Sequence, residues 1–133
     1  MKVLFIVDWY YPGYKAGGPI QSCINIIRLL NNDFRFYVLT SDRDHGAAEA
    51  YPDIRFCEWQ TGPHGESVFY SSREQMSLRL IRNLIRQVQP ELIYFNSMFS
   101  SRFTILPAIA LRLMGYKGRA LLAPRGMLHK GAL

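Results

Sequence analysis

Cysteine is scarce in this chain, with 2 in 133 residues. Cys23 and Cys57 are too few for a disulfide framework or a thiolate metal site. Both are expected to be buried, reduced thiols, the first on a helix and the second on a strand. Histidine is also rare: His45, His64 and His129 fall in separate loops without metal-ligand spacing. No apolar run approaches the ~18 residues of a membrane-spanning helix. Residues 3–7 are too short for the core of a secretion signal and are closed by Asp8, so a cytoplasmic location is expected. The dinucleotide fingerprint and the Walker A loop are both missing. The second predicted strand, Tyr37-Val38-Leu39-Thr40, ends without an acid for a ribose. No serine or cysteine nucleophile motif is present, and neither a metal nor a bound cofactor is expected.

Acidic residues thin out along the chain. Residues 1–66 carry six Lys/Arg and eight Asp/Glu, net −2, whereas residues 67–133 carry ten and two, net +8. The basic half points to an anionic partner: a phosphorylated substrate, a phospholipid surface or nucleic acid. Nucleic acid ranks last and is not expected, because no interleaving of basic and aromatic residues accompanies the charge.

What is present is a well-mixed composition, 49% hydrophobic, in a length that suits one folded domain over residues 1–133. Apolar runs and helical periodicity alternate. Residues 2–7 read as a buried strand and residues 19–31 as a helix with Pro19 in its first turn. Residues 34–40 form a second strand, 54–59 a third and 67–70 a short fourth, the last two separated by the turn Thr61-Gly62-Pro63-His64-Gly65. Residues 72–89 form an amphipathic helix stopped by Pro90. Residues 92–95 form a strand, and 102–114 a helix apolar nearly all round and therefore buried, ended by Gly115. Residues 119–123 form a last strand. Strands joined by helix-length crossovers make parallel βαβ units. The expected fold is therefore α/β, a Rossmann-like doubly wound, mainly parallel sheet.

In such a sheet ligands bind beyond the carboxyl ends of the strands. Three segments fall there. The first, Tyr11-Pro12-Gly13-Tyr14-Lys15-Ala16-Gly17-Gly18-Pro19, opens a helix. Gly17 and Gly18 either make a tight turn or let an anion approach bare N–H groups at the positive helix end. The length of the approach, with Trp9, Tyr10, Tyr11 and Tyr14, favours a binding loop for an acceptor. The second, Asn96-Ser97, ends the central strand, beside the first strand if the order is 3-2-1-4-5. Asn96, Ser100 or Ser101 also suits capping of the next helix. The third, Ala123-Pro124-Arg125-Gly126-Met127-Leu128, puts the Arg125 guanidinium, a planar partner for phosphate or carboxylate, on the same rim. Away from that rim, Arg79, Arg82 and Arg86 form a stripe on one helix, either a solvated face or a patch for an anionic membrane.

Together these segments resemble the N-terminal half of a GT-B glycosyltransferase of the large retaining family 4 type, over essentially the whole chain. The glycine loop and its helix are similar to that family's opening. Pro90-Glu91-Leu92-Ile93-Tyr94-Phe95-Asn96-Ser97 is similar to its central strand and loop. Arg125 and its neighbours, with Gly131-Ala132-Leu133, resemble the family's "SPHGML" or "APRGEL…GAL" segment, although many relatives carry His where this chain has Arg125.

The resemblance implies an acceptor-binding domain for a glycan or lipid-linked acceptor. Gly17 and Gly18 would approach the phosphates of a sugar-nucleotide donor or the sugar being transferred. A second domain with a Glu-x7-Glu motif, absent from these residues, would hold most of that donor. No catalytic residue is assigned to this half. The whole protein is expected to build polysaccharide or glycolipid on the inner face of the plasma membrane, and residues 1–133 alone to be inactive. The alternative is a stand-alone, non-catalytic module that binds a phosphorylated ligand or an anionic membrane surface. A sheet cut at this length is further expected to self-associate through its uncovered edge or through residues 102–114.

Overall fold

The computed structural model describes residues 1–15, 17–95 and 101–122. Asn96, Ser97, Ser100 and Arg125 lie outside the described residues. Six strands form one sheet: β1 (Lys2–Ile6), β2 (Arg35–Ser41), β3 (Trp59–Thr61), β4 (Ser67–Ser71), β5 (Leu92–Phe95) and β6 (Arg119–Leu122). Three helices accompany them: α1 (Gly18–Leu30), α2 (Leu78–Val88) and α3 (Leu106–Leu113), the last entered through a π-helical turn, Ser101–Ile105. The order across the sheet is β3-β4-β2-β1-β5-β6. Every pairing is parallel except β3 with β4. The chain is thus α/β, with a mixed but mostly parallel sheet.

Strand β1 is central because it is apolar on both faces, as a strand covered on both sides must be. Val3, Phe5 and Val7 join one core cluster with Cys23 and Ile27 of α1. Leu4 and Ile6 join the other, with Ile81, Leu84 and Ile85 of α2 and Ala110 and Leu111 of α3. Helix α1 therefore covers one face, and α2 and α3 cover the other. The spacing of Ile20, Cys23 and Ile27 gives α1 its single buried stripe. Helix α2 starts where the Ser77 hydroxyl accepts the Leu80 N–H at 3.1 Å. It ends at Gln89, which takes the left-handed conformation and donates its N–H to Ile85.

Several expectations change. The strand expected over residues 54–59 is absent: Phe56 makes one isolated bridge to Tyr70, and the strand begins at Trp59. Cys57 has positive φ and is exposed, so only Cys23 is a buried thiol. The helix expected from residue 72 begins at Leu78, because Ser72 accepts the Gln75 N–H in a separate turn. The helix expected over residues 102–114 is not buried all round, since Ile105, Ile109 and Leu113 are exposed along one side. The edge strand β6 is exposed at Arg119, Ala120 and Leu121.

Candidate functional site

The segment between β1 and α1 is held by side chains from distant parts of the chain. Tyr10 is fully buried, and its hydroxyl donates to the Glu66 carboxylate. Glu66 is itself buried and accepts the His64 N–H at 2.8 Å. Gly62 makes room for this carboxylate, since a Cβ there would stand 2.6 Å from Glu66 Cδ. The Tyr70 hydroxyl donates to the carbonyl of Tyr11. Gly13 passes so close to Tyr51 and Asp44 that a Cβ would overlap the Tyr51 hydroxyl and stand 2.9 Å from Asp44 Oδ1. Asp44 then accepts the N–H groups of Tyr14 at 3.1 Å, Lys15 at 3.2 Å and His45 at 2.8 Å.

Ionisation follows from these contacts. Burial raises the Asp44 carboxyl, but the three backbone donors together outweigh it and hold the group below its ordinary value. Burial, reinforced for Tyr10 by its bond to Glu66, pushes the Tyr10, Tyr51 and Tyr70 hydroxyls well up, so all three stay protonated donors.

Helix α1 opens without a cap. Gly17 has φ of 69°, a conformation that favours glycine, and no side chain accepts from the first turn, which carries no acidic residue. Among the described residues nothing lies within 4 Å of a Cβ built on Gly17 or Gly18. Both residues are exposed. Pro19 follows in the first turn.

Of the four aromatics assigned to an acceptor loop, Tyr10 packs the core and cannot offer its ring. Tyr11 and Tyr14 are exposed, and Trp9 is half-buried. Two cavities adjoin the loop. One, of about 410 Å³, is lined by Trp9, Asp42, Arg43, His45, Arg73 and Glu74. The other, of about 490 Å³, includes Tyr11, Pro12, Tyr51 and Tyr70. Both lie on the β2/β4 side of β1. The strand order reverses between β1 and β5, and the residues that directly follow β5 lie outside the described ones. Arg79, Arg82 and Arg86 stand together in a groove of about 340 Å³ with Leu78, Ala110 and Leu113. All three arginines are exposed, as a solvated face requires, and they also form one wall of a cleft between α2 and α3.

Among the described residues no group of three or more His, Cys, Asp or Glu could hold a metal ion, and no helix is long and apolar enough to cross a membrane. Asp44 and Glu66, which shape the loop, read in the sequence as ordinary loop acids. The only local hint is that each stands next to a stretch rich in turn residues. Comparison of the chain with protein-family models, curated proteins and solved structures finds no match.

Proposed function

We propose that the chain is the acceptor-binding first domain of a sugar-nucleotide-dependent, retaining glycosyltransferase of the GT-B type, with a Rossmann-like doubly wound sheet. The observation that carries this reading is the anchored aromatic loop leading from the central strand into an uncapped, open helix start at Gly17 and Gly18. A plain connection needs none of these anchors. A helix start that must receive an anionic phosphate needs free N–H groups and no competing side chain. The parallel strand order β4-β2-β1-β5-β6, with helices on opposite faces, agrees with the expected 3-2-1-4-5 arrangement.

In this reading Gly17 and Gly18 meet the donor phosphates or the transferred sugar, and Asn96, Ser97 and Arg125 are further contacts to the same ligand. Trp9, Tyr11 and Tyr14 face a glycan or lipid-linked acceptor. The donor's main site and the Glu-x7-Glu pair belong to a further domain, so catalysis belongs to the whole protein. Arg79, Arg82 and Arg86 rest on the anionic inner face of the plasma membrane. The test is the whole gene product. Coding sequence beyond residue 133 should supply Glu-x7-Glu, and the product should consume a nucleotide-sugar in an acceptor-dependent way. A reading frame that stops at Leu133, or transfer by residues 1–133 alone, defeats this division of labour.

A second reading is favoured by the groove between α2 and α3: a non-catalytic module whose arginines bind a phosphorylated ligand or an anionic membrane surface. It requires that the gene stop near Leu133 and that charge reversal in the groove remove binding.

A further inference from the structure

Beyond the carboxyl ends of β2 and β4, the 410 Å³ cavity has the size of a small-ligand site. Its wall combines an aromatic ring with held and unheld polar groups. Trp9 and His45 meet edge to face with ring centroids 4.5 Å apart. Asp42, nearly fully buried, accepts Arg43 Nε at 2.9 Å, and Arg43 Nη1 donates to the carbonyl of Ala48 at 2.7 Å. These two bonds fix the plane of the guanidinium. Among the described residues nothing engages Arg43 Nη2 or the Trp9 indole N–H, and neither Arg73 nor Glu74 forms an ion pair.

The charge pattern selects the ligand. Arg43 neutralises Asp42, and Asp44 is spent on three backbone donors. Arg73 and Glu74 then bring one charge of each sign. A bare anion would meet carboxylates here, and an apolar ligand would strip water from groups it cannot pair. A ring bearing several hydroxyls satisfies both kinds of group, since each hydroxyl donates and accepts. Its C–H face also finds an apolar platform in the indole.

We propose that this cavity binds a saccharide ring, seated on Trp9, with its hydroxyls paired to Arg43, Arg73 and Glu74. The inference rests on the glycosyltransferase reading only in identifying that ring as the acceptor.

The experiment follows the two indole N–H resonances of the 133-residue chain by NMR while chitobiose, cellobiose, maltose or lactose is added, with glycerol as an acyclic control. Trp59 is the internal reference, because its N–H is bonded to Gln87 and its ring packs on Tyr37 and Phe69. At least one disaccharide should shift the Trp9 resonance saturably and leave Trp59 in place. Arg73→Ala, a change at an exposed residue, should weaken that binding about tenfold, the scale of one hydrogen bond to a charged group. No saturable shift with any of the four, or a shift indifferent to Arg73→Ala, overturns the proposal. Saturable binding without nucleotide-sugar consumption by the whole gene product keeps the cavity and removes the enzyme reading. Transfer with an acceptor KM unchanged by Arg73→Ala keeps the enzyme and removes the cavity.

Discussion

The carboxylate of Asp44 accepts the backbone N–H of Tyr14 at 3.1 Å, across 30 positions of sequence. Lys15 and His45 donate to the same side chain, so one residue after β2 fixes the approach to α1. Because the folded-state value lies below the unfolded one near 3.8, this latch contributes fully above that value and is lost as pH falls through the lowered one. The melting temperature should therefore fall below about pH 4. Asp44→Asn should lower it at neutral pH and flatten the acid decline. Melting curves collected across the acid range check this, and an acid limb of unchanged steepness in the variant would contradict the latch.

Tyr10 and Tyr14 look alike in sequence but should respond in opposite ways. Tyr10→Phe leaves the buried Glu66 carboxylate short of a donor, which costs about 1–3 kcal/mol in denaturant unfolding. Tyr14 is 74% exposed, so Tyr14→Phe should stay within about 0.5 kcal/mol of the parent. Equal losses in the two variants would mean that Tyr10 does not anchor the loop.

Those two tyrosines also show what could be read from sequence. The apolar run of β1, the α1 stripe and β5 follow from burial alone and are legible as periodicity. Ile54 and Phe56 mimic a strand, but the positive φ at Cys57 breaks the extension, and Trp59 starts the antiparallel edge instead. The site was less legible because its anchors are long-range. Nothing local in Gly13 announces that it passes against Tyr51 and Asp44, and nothing local in Glu66 announces a bond to Tyr10.

The arginine stripe makes a separate prediction. Helix α2 carries Arg79, Arg82 and Arg86 and no acidic residue. At about 1 kcal/mol per charge near an anionic surface, reversing all three to Glu should weaken binding to phosphatidylglycerol-containing vesicles at least about a hundredfold. Co-sedimentation reads this directly, and sedimentation unaffected by the reversal would remove the membrane role.

Strand β6 leaves one side of the sheet uncovered among the described residues, with Leu121 52% exposed. Leu113 on α3 is 73% exposed. The 133-residue chain should show a mass that rises with concentration in light scattering, and Leu121→Lys should suppress the rise. A mass that stays at 15.4 kDa at high concentration would refute association through this edge.

The double anchoring of the loop after β1 also dictates when it can form. Its partners, Asp44 and Glu66, stand 30 and 56 positions beyond the residues they hold. Contacts of that separation are made only after the intervening chain has closed on itself. As the chain leaves the ribosome, β1 emerges before β2 and β4, and its loop waits for β2 and the β3–β4 turn. The approach to α1 therefore takes its final shape late, once the first half of the sheet is assembled. A defect in β4 would then disorder the loop without touching any residue in it.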